Sequence, residues 1–222
     1  MAKTVGIWLG NYKGLPKKFH GINFTDKPVR CLGIYIGHDA EACHTENWMS
    51  KIESLKNCMH VWKSRKLTLK GKILIIKSLA LSKLIYNFSL IPVPDKIIKE
   101  INKMFYDFTW NKIDRIKRKT LILNFHEGGL NMVDLQSKIQ ALQAAWIPRI
   151  IKNHRLGNII QTQLNKNGIN LKIILEGGIV KSKNITNIVS INQFYADCIS
   201  SFNLCKAKTS KQNVNIYDFL VQ

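Results

Sequence analysis

The chain has 222 residues, 45% hydrophobic and 22% charged, and its 34 Lys plus Arg against 14 Asp plus Glu give a formal charge of +20. That balance excludes a disordered acidic tail, a collagen-like fibre and a disulfide-framework miniprotein, and it predicts one or two packed units. A surplus of this size repels itself unless a polyanion complements it, and nucleic acid is the commonest one with enough charge density.

The opening reads as extended structure. Thr4 to Leu9 is β-branched and aromatic, and Val29 to Ile36 alternates so that Leu32, Ile34 and Ile36 share one face. The Gly/Pro-containing stretch between them, Asn11 to Pro28, reads as a long connection, giving two or three strands. From Thr45 the period changes. Thr45 is placed to cap a helix with Trp48, Ile52, Leu55, Met59 and Trp62 in one stripe. Thr68 is placed to cap a second, with Leu69, Ile73, Ile76, Ala80 and Leu84 in line and Leu74, Ile75 and Leu81 behind, so that this helix is apolar almost all round.

Pro92 and Pro94 stop it, and Asp95 reads as the cap of a third helix through Ile97, Ile101 and Phe108. A basic run, Lys112 to Lys119, precedes a short piece read as extended, Thr120 to Phe125, and the turn Gly128-Gly129. Asp134 begins a fourth helix, interrupted at Pro148, and helical patches follow around Ile159 to Leu164 and Ser190 to Phe202. The expected fold is α+β, mostly α. Strands occupy 1–44, a helical bundle 45–111, and a further, mostly helical region 112–222.

Charge is concentrated early: residues 1–119 carry 23 basic and 9 acidic side chains, against 11 and 5 in the remainder. Between Lys63 and Lys83 stand seven basic residues and no acidic one. Lys63, Arg65, Lys66, Lys70, Lys72 and Lys77, with Gly71 among them, therefore form the candidate polyanion-binding face, since ordinary solvated helices intersperse Glu with Lys. The bland alternative is a solubilising rim around a packed helix.

Catalytic signals are weaker. Two-metal phosphoryl transfer needs clustered carboxylates, and the eight Asp and six Glu are scattered singly, the nearest pair being Asp39 and Glu41. Cys43, His44, Cys58 and His60 fail as zinc ligands, because Cys58 and His60 stand two apart in a helical pattern and point in opposite directions. No catalytic residue, metal site or cofactor is expected of these residues alone. Five cysteines, Cys31, Cys43, Cys58, Cys198 and Cys205, fit reduced thiols in the cytoplasm or nucleus. Without an apolar run of spanning length or a leader pattern, no membrane is expected among the partners.

Several fragments in order carry a resemblance. Lys3-Thr4-Val5-Gly6-Ile7-Trp8-Leu9-Gly10, Lys27 to Tyr35 with its Leu-Gly-Ile, Trp62 through Leu67-Thr68-Leu69-Lys70-Gly71-Lys72, Ile85-Tyr86, Pro92-Val93-Pro94, Phe108-Thr109-Trp110 and Gly128 to Leu135 stand in the order found in one family. The chain thereby resembles non-LTR (LINE-type) retrotransposon reverse transcriptases over about Lys3 to Arg149, from the palm edge through the thumb and the region after it. The resemblance implies a right-hand polymerase, an RNA-directed DNA polymerase using Mg, whose thumb grips template-primer duplex. It makes Lys3 the palm lysine, Leu32, Gly33 and Ile34 a primer-grip-like segment, and Lys70, Gly71, Lys72 and Lys77 the lining of the thumb.

The departures limit this. Tyr195-Ala196-Asp197 is followed by Cys198, where the family's metal-binding hairpin has a second Asp, and the surrounding residues repeat at helical spacing. Cys31 stands where an aromatic precedes Leu-Gly-Ile, and Lys72 where an Arg is usual. The expectation is a fragment of a mobile-element polymerase that binds RNA-DNA hybrid or other nucleic acid, is inactive alone, and has the remaining polymerase segments as its other partner. The alternative is a helical module reused by the host for nucleic-acid binding or protein docking.

Overall fold

A computed structural model describes residues 4–8, 12, 18–110, 114–165 and 193–210. It is mostly helical, with a few short strands ahead of the helices, and divides into two compact units, Met1–Lys66 and Leu67–Gln222.

Among the described residues, the first unit holds five strands. β1 (Val5–Ile7) runs parallel to β3 (Ile22–Thr25), which pairs antiparallel with β2 (Lys18–Phe19). Two of these strands lie inside the stretch read as a connection; they are too short for alternation to reveal. β4 (Val29–Cys31) and β5 (Ile34–Ile36) form a second antiparallel pair.

Val29 to Ile36 is thus a hairpin rather than one alternating strand. Leu32 and Gly33 take φ of 48° and 87° at its tip, the left-handed pair that a two-residue turn of right-twisting strands requires. Gly33 adopts this freely, whereas Leu32 does so under strain, which is why the sequence does not read as a turn.

Helix α1 (Ala40–Lys63) packs on β5, burying Trp48, Ile52, Leu55 and Met59 with Ile34. Its start is set by Asp39, whose carboxylate accepts from the Glu41 and Ala42 amides, both at 3.0 Å. Thr45 is therefore inside the helix, more than a turn beyond the cap. A carboxylate at the N-terminus satisfies orphan amides and meets the positive end of the helix dipole, an advantage that a threonine lacks.

Asn47, a polar residue on the buried stripe, pairs with the free edge of β5. Its Oδ1 accepts from the Tyr35 amide at 2.8 Å and its Nδ2 donates to the Tyr35 carbonyl at 2.9 Å. Tyr35 lies opposite Arg30. In this two-residue hairpin that is the non-hydrogen-bonded position, so its backbone groups point away from β4 and need such a partner.

The second unit opens with α2 (Leu69–Ile75), capped by Thr68, which accepts from the Gly71 amide at 3.2 Å. A π turn (Ile76–Ala80) and α3 (Ser82–Leu90) continue it with a bend of 48°. The π turn closes with the Leu81 amide on the Ile76 carbonyl at 2.8 Å, and the added residue brings Leu81 into the core beside Ala80. The expected single straight helix is thereby broken, and Leu74 is left 64% exposed.

Helix α4 (Asp95–Trp110) begins against Pro94, whose carbonyl accepts from the Ile97 and Ile98 amides, so Asp95 is its first helical residue rather than its cap. It buries Ile97, Ile101, Phe105 and Phe108. Thr120 to Phe125 is not extended: α5 (Arg118–Ile122) and a 3-10 turn (Phe125–Glu127) occupy it. The carbonyls freed at the end of α5 are still taken up in strand fashion, Leu121 accepting from Met132 at 2.9 Å and Leu123 from Asn131 at 2.8 Å. Gly129 makes this possible, since a Cβ there would lie 1.9 Å from the Leu123 carbonyl oxygen.

Asp134 caps α6 (Leu135–Ala144), accepting from Ser137 through its backbone amide and its hydroxyl. The chain breaks at Ala145 and restarts as α7 (Trp146–Lys152), with Pro148 in the first turn, where an amide has no intrahelical partner to lose. α8 (His154–Asn165) and α9 (Gln193–Ser210) complete a second core, in which Ile147, Ile150, Leu164, Cys198, Ile199 and Phe202 meet. Ser201 donates to Gln143 at 3.1 Å, bridging α9 and α6 in the buried interior. Among the described residues, no single helix is long and apolar enough to cross a membrane.

Two expectations follow. Asp39→Ala should destabilise the first unit by about 1 kcal/mol and Thr45→Ala by less than about 0.5 kcal/mol, read from urea unfolding followed by circular dichroism. Burial first, then the adjacent Asp197 charge, pushes the Cys198 thiol from 9.0 to about 12. A group raised on folding contributes stability that is whole below its unfolded pKa and lost as pH rises toward the folded one. Stability should therefore fall between about pH 9 and 12, and Cys198→Ala, though less stable at neutral pH, should show a shallower decline across that window.

Candidate nucleic-acid interface

The basic residues expected to bind a polyanion fall into both units and occupy different settings. In the first, Lys63 ends α1, and Arg65 lies over the Trp62 ring with its Cζ 4.6 Å from the centroid. Lys63, Arg65 and Lys66 are all exposed. The Arg65–Trp62 pair presents a cation already ordered on an aromatic face, a setting from which a phosphate contact costs less side-chain entropy.

In the second unit, Lys70, Lys72 and Lys77 are not equivalent. Lys72 Nζ donates to the Thr109 carbonyl at 3.1 Å, across 37 residues of sequence. Thr109 is the penultimate residue of α4, where carbonyls lack intrahelical partners and the helix dipole is negative, so a lysine is an effective cap. Lys77 Nζ donates to the Asn131 carbonyl at 3.2 Å, 54 residues away. Asn131 has φ of 52°, and Lys77 helps to hold this left-handed residue beside the π turn. Lys70 instead extends over the surface, its Nζ 5.4 Å from the centre of the Phe125 ring. Gly71 sits in the first turn against Thr68 Oγ1, at 3.3 Å from the position of an added Cβ, so it serves the cap.

The primer-grip-like residues are divided by the hairpin. Leu32 is 88% exposed at the tip, Gly33 shares the turn, and Ile34 is buried in the core. Lys3 lies outside the described residues. Asn47 and the α4 terminus, which fix β5 and Lys72, are not evident from the sequence. The signal for Asn47 was a polar residue beside Trp48 on an otherwise apolar stripe.

Tyr195, Ala196, Asp197 and Cys198 lie within α9, with Ala196 and Cys198 buried. A helix turns these side chains to different sides, so the tetrad does not offer carboxylates as a hairpin would. Asp39 serves the α1 cap. No group of three or more His, Cys, Asp or Glu able to hold a metal occurs among the described residues. Among the described residues, no set of carboxylates is placed to hold a pair of magnesium ions.

Lys72→Met keeps the apolar stem but deletes the donor. It should cost the second unit about 1 kcal/mol in urea unfolding, whereas Lys70→Met should change stability by less than about 0.5 kcal/mol.

No family model matches the chain. Over 154 residues, 68% of its length, it is 24% identical to the transposon TX1 uncharacterized 149 kDa protein of Xenopus laevis. It spans 12% of the length of that relative.

Proposed function

We propose that this chain is a piece of a non-LTR retrotransposon reverse transcriptase whose retained task is to hold template-primer duplex. In this reading 1–44 is the palm edge, 45–111 the thumb and 112–222 the region after the thumb. Leu32, Gly33 and Ile34 approach the primer, with Lys3 as the palm lysine. The metal-binding carboxylates of the enzyme belong to other polymerase segments, with which this chain assembles, and the chain alone leaves nucleotides unjoined.

One observation carries the reading: the acid-free segment from Lys63 to Lys83, seven basic residues on and just before a buried helical rod. Similarity to a transposon protein supports the mobile-element origin, and the ordered landmark motifs support the polymerase assignment. Duplex is favoured because the landmark motifs resemble those of a thumb that grips template-primer duplex, and a dense cation segment gains most from the higher phosphate charge density of two strands.

The test sorts the lysines by geometry. Lys72 and Lys77 hold the fold, so the variant that probes binding replaces Lys63, Arg65, Lys66 and Lys70 by Gln. Binding to RNA-DNA hybrid is followed by fluorescence anisotropy across a salt series. Wild type should show a steep decline, and the variant should lose roughly 0.9 of log-log slope for each duplex phosphate contact removed. An unchanged slope sinks the face. Binding that ignores salt and hybrid alike points to the protein-docking module instead.

A further inference from the structure

We propose that Phe125, beside Lys70 on the second unit, is a stacking platform for an unpaired base. The inference rests on the nucleic-acid reading above and names a part of the ligand that the lysine segment does not. Phe125 is 59% exposed, an unusual position for a side chain of its size and apolarity.

The turn beneath it is fixed from several directions. The Asn124 amide donates to Glu127 Oε2 at 3.1 Å, and the Asn124 carbonyl accepts from the Glu127 and Gly129 amides at 3.1 and 2.9 Å. Gly128 leaves the turn at a φ of 79°, and Gly129 is locked against Leu123. The ring is held outward by backbone that does not depend on it.

Its surroundings choose the ligand. Lys70 Nζ stands 5.4 Å from the ring centre, and one turn further along the helix Leu74 is exposed as well. The nearest carboxylate in sequence, Glu127, is occupied in the turn, and no acidic residue occurs between Glu53 and Asp95. A protein partner would need only the apolar patch. A nucleotide uses both features, since its base has a π face for the ring and its phosphate is drawn to the ammonium, a pairing that tolerates any base. The platform therefore takes the single-stranded extension of a duplex.

The full chain is titrated at fixed salt with blunt RNA-DNA hybrid and with the same hybrid carrying a short overhang that contains a fluorescent adenine analogue. Wild type should bind the overhang form more tightly and quench the analogue. Phe125→Ala should lose roughly fivefold or more of that preference together with the quenching, and Phe125→Trp should keep both. Phe125→Leu, which keeps an apolar side chain without a π face, should behave like Phe125→Ala.

If Phe125→Ala retains preference and quenching, the platform is overturned while salt-dependent binding of blunt hybrid still upholds the broader reading. Should wild type bind blunt hybrid but show neither preference nor quenching, the exposed ring is no base platform. Failure to bind any hybrid ends both proposals.

Discussion

A helical rod that is apolar on most of its circumference survives in water only when other helices cover it, and the covering of Leu69–Leu90 organises the second unit. Leu84, Phe88, Ile76 and Ala80 are fully buried, which obliges α4 and α6 to pack around them. Leu81, at the end of the π turn, is buried as well. The π turn at Ile76–Ala80 changes the phase, and the 48° bend that follows sends α3 toward α6. Leu74, on α2 ahead of the turn, stays 64% exposed. Burial of Ile76, Ala80, Leu84 and Phe88 thus accompanies the break in the rod.

Helices crowded in this way have ends and flanking loops whose carbonyls take polar partners from far along the chain. Lys72 closes the end of α4, Lys77 holds Asn131, and Trp146 donates its indole N–H to the Ser89 carbonyl near the end of α3. Each bond contributes on the order of 1 kcal/mol, least for the exposed contact of Lys77 with Asn131. The first unit follows the same logic in Asn47, whose amide stands in for a neighbouring strand.

Much of this was legible in the sequence. Thr68 and Asp134 are caps directly ahead of apolar periodicity, and both cap the expected helices. The helical reading of Ser190 to Phe202 also holds from Gln193 on, residues 190–192 lying outside those described, because its spacing overrides the suggestive Tyr-Ala-Asp. What escaped depends on geometry that local patterns do not encode. Leu32-Gly33 continues an alternation and so masks a turn. Asp39 lies more than two turns ahead of the apolar stripe and reads as a loop residue. The π turn follows from packing on α4 and α6, and the lysine contacts reach across 37 and 54 residues.

Those contacts change how the charge is to be counted. A run of seven cations without an acid suggests seven phosphate contacts when read as a string, since nothing nearby in sequence neutralises them. Two of the seven already act on backbone carbonyls inside their own unit, Lys72 at the end of α4 and Lys77 at the left-handed Asn131. The remaining ones, with Arg65 seated on Trp62 and Lys70 over Phe125, stand on aromatic faces or in solvent. A carbonyl-bound lysine still contributes to the field around the rod, because its charge is not cancelled by a carbonyl dipole, but it meets a phosphate only by giving up its carbonyl. The acid-free segment therefore has two physical functions, fastening the bundle and presenting charge, and the π turn and α4 terminus decide which lysine performs which.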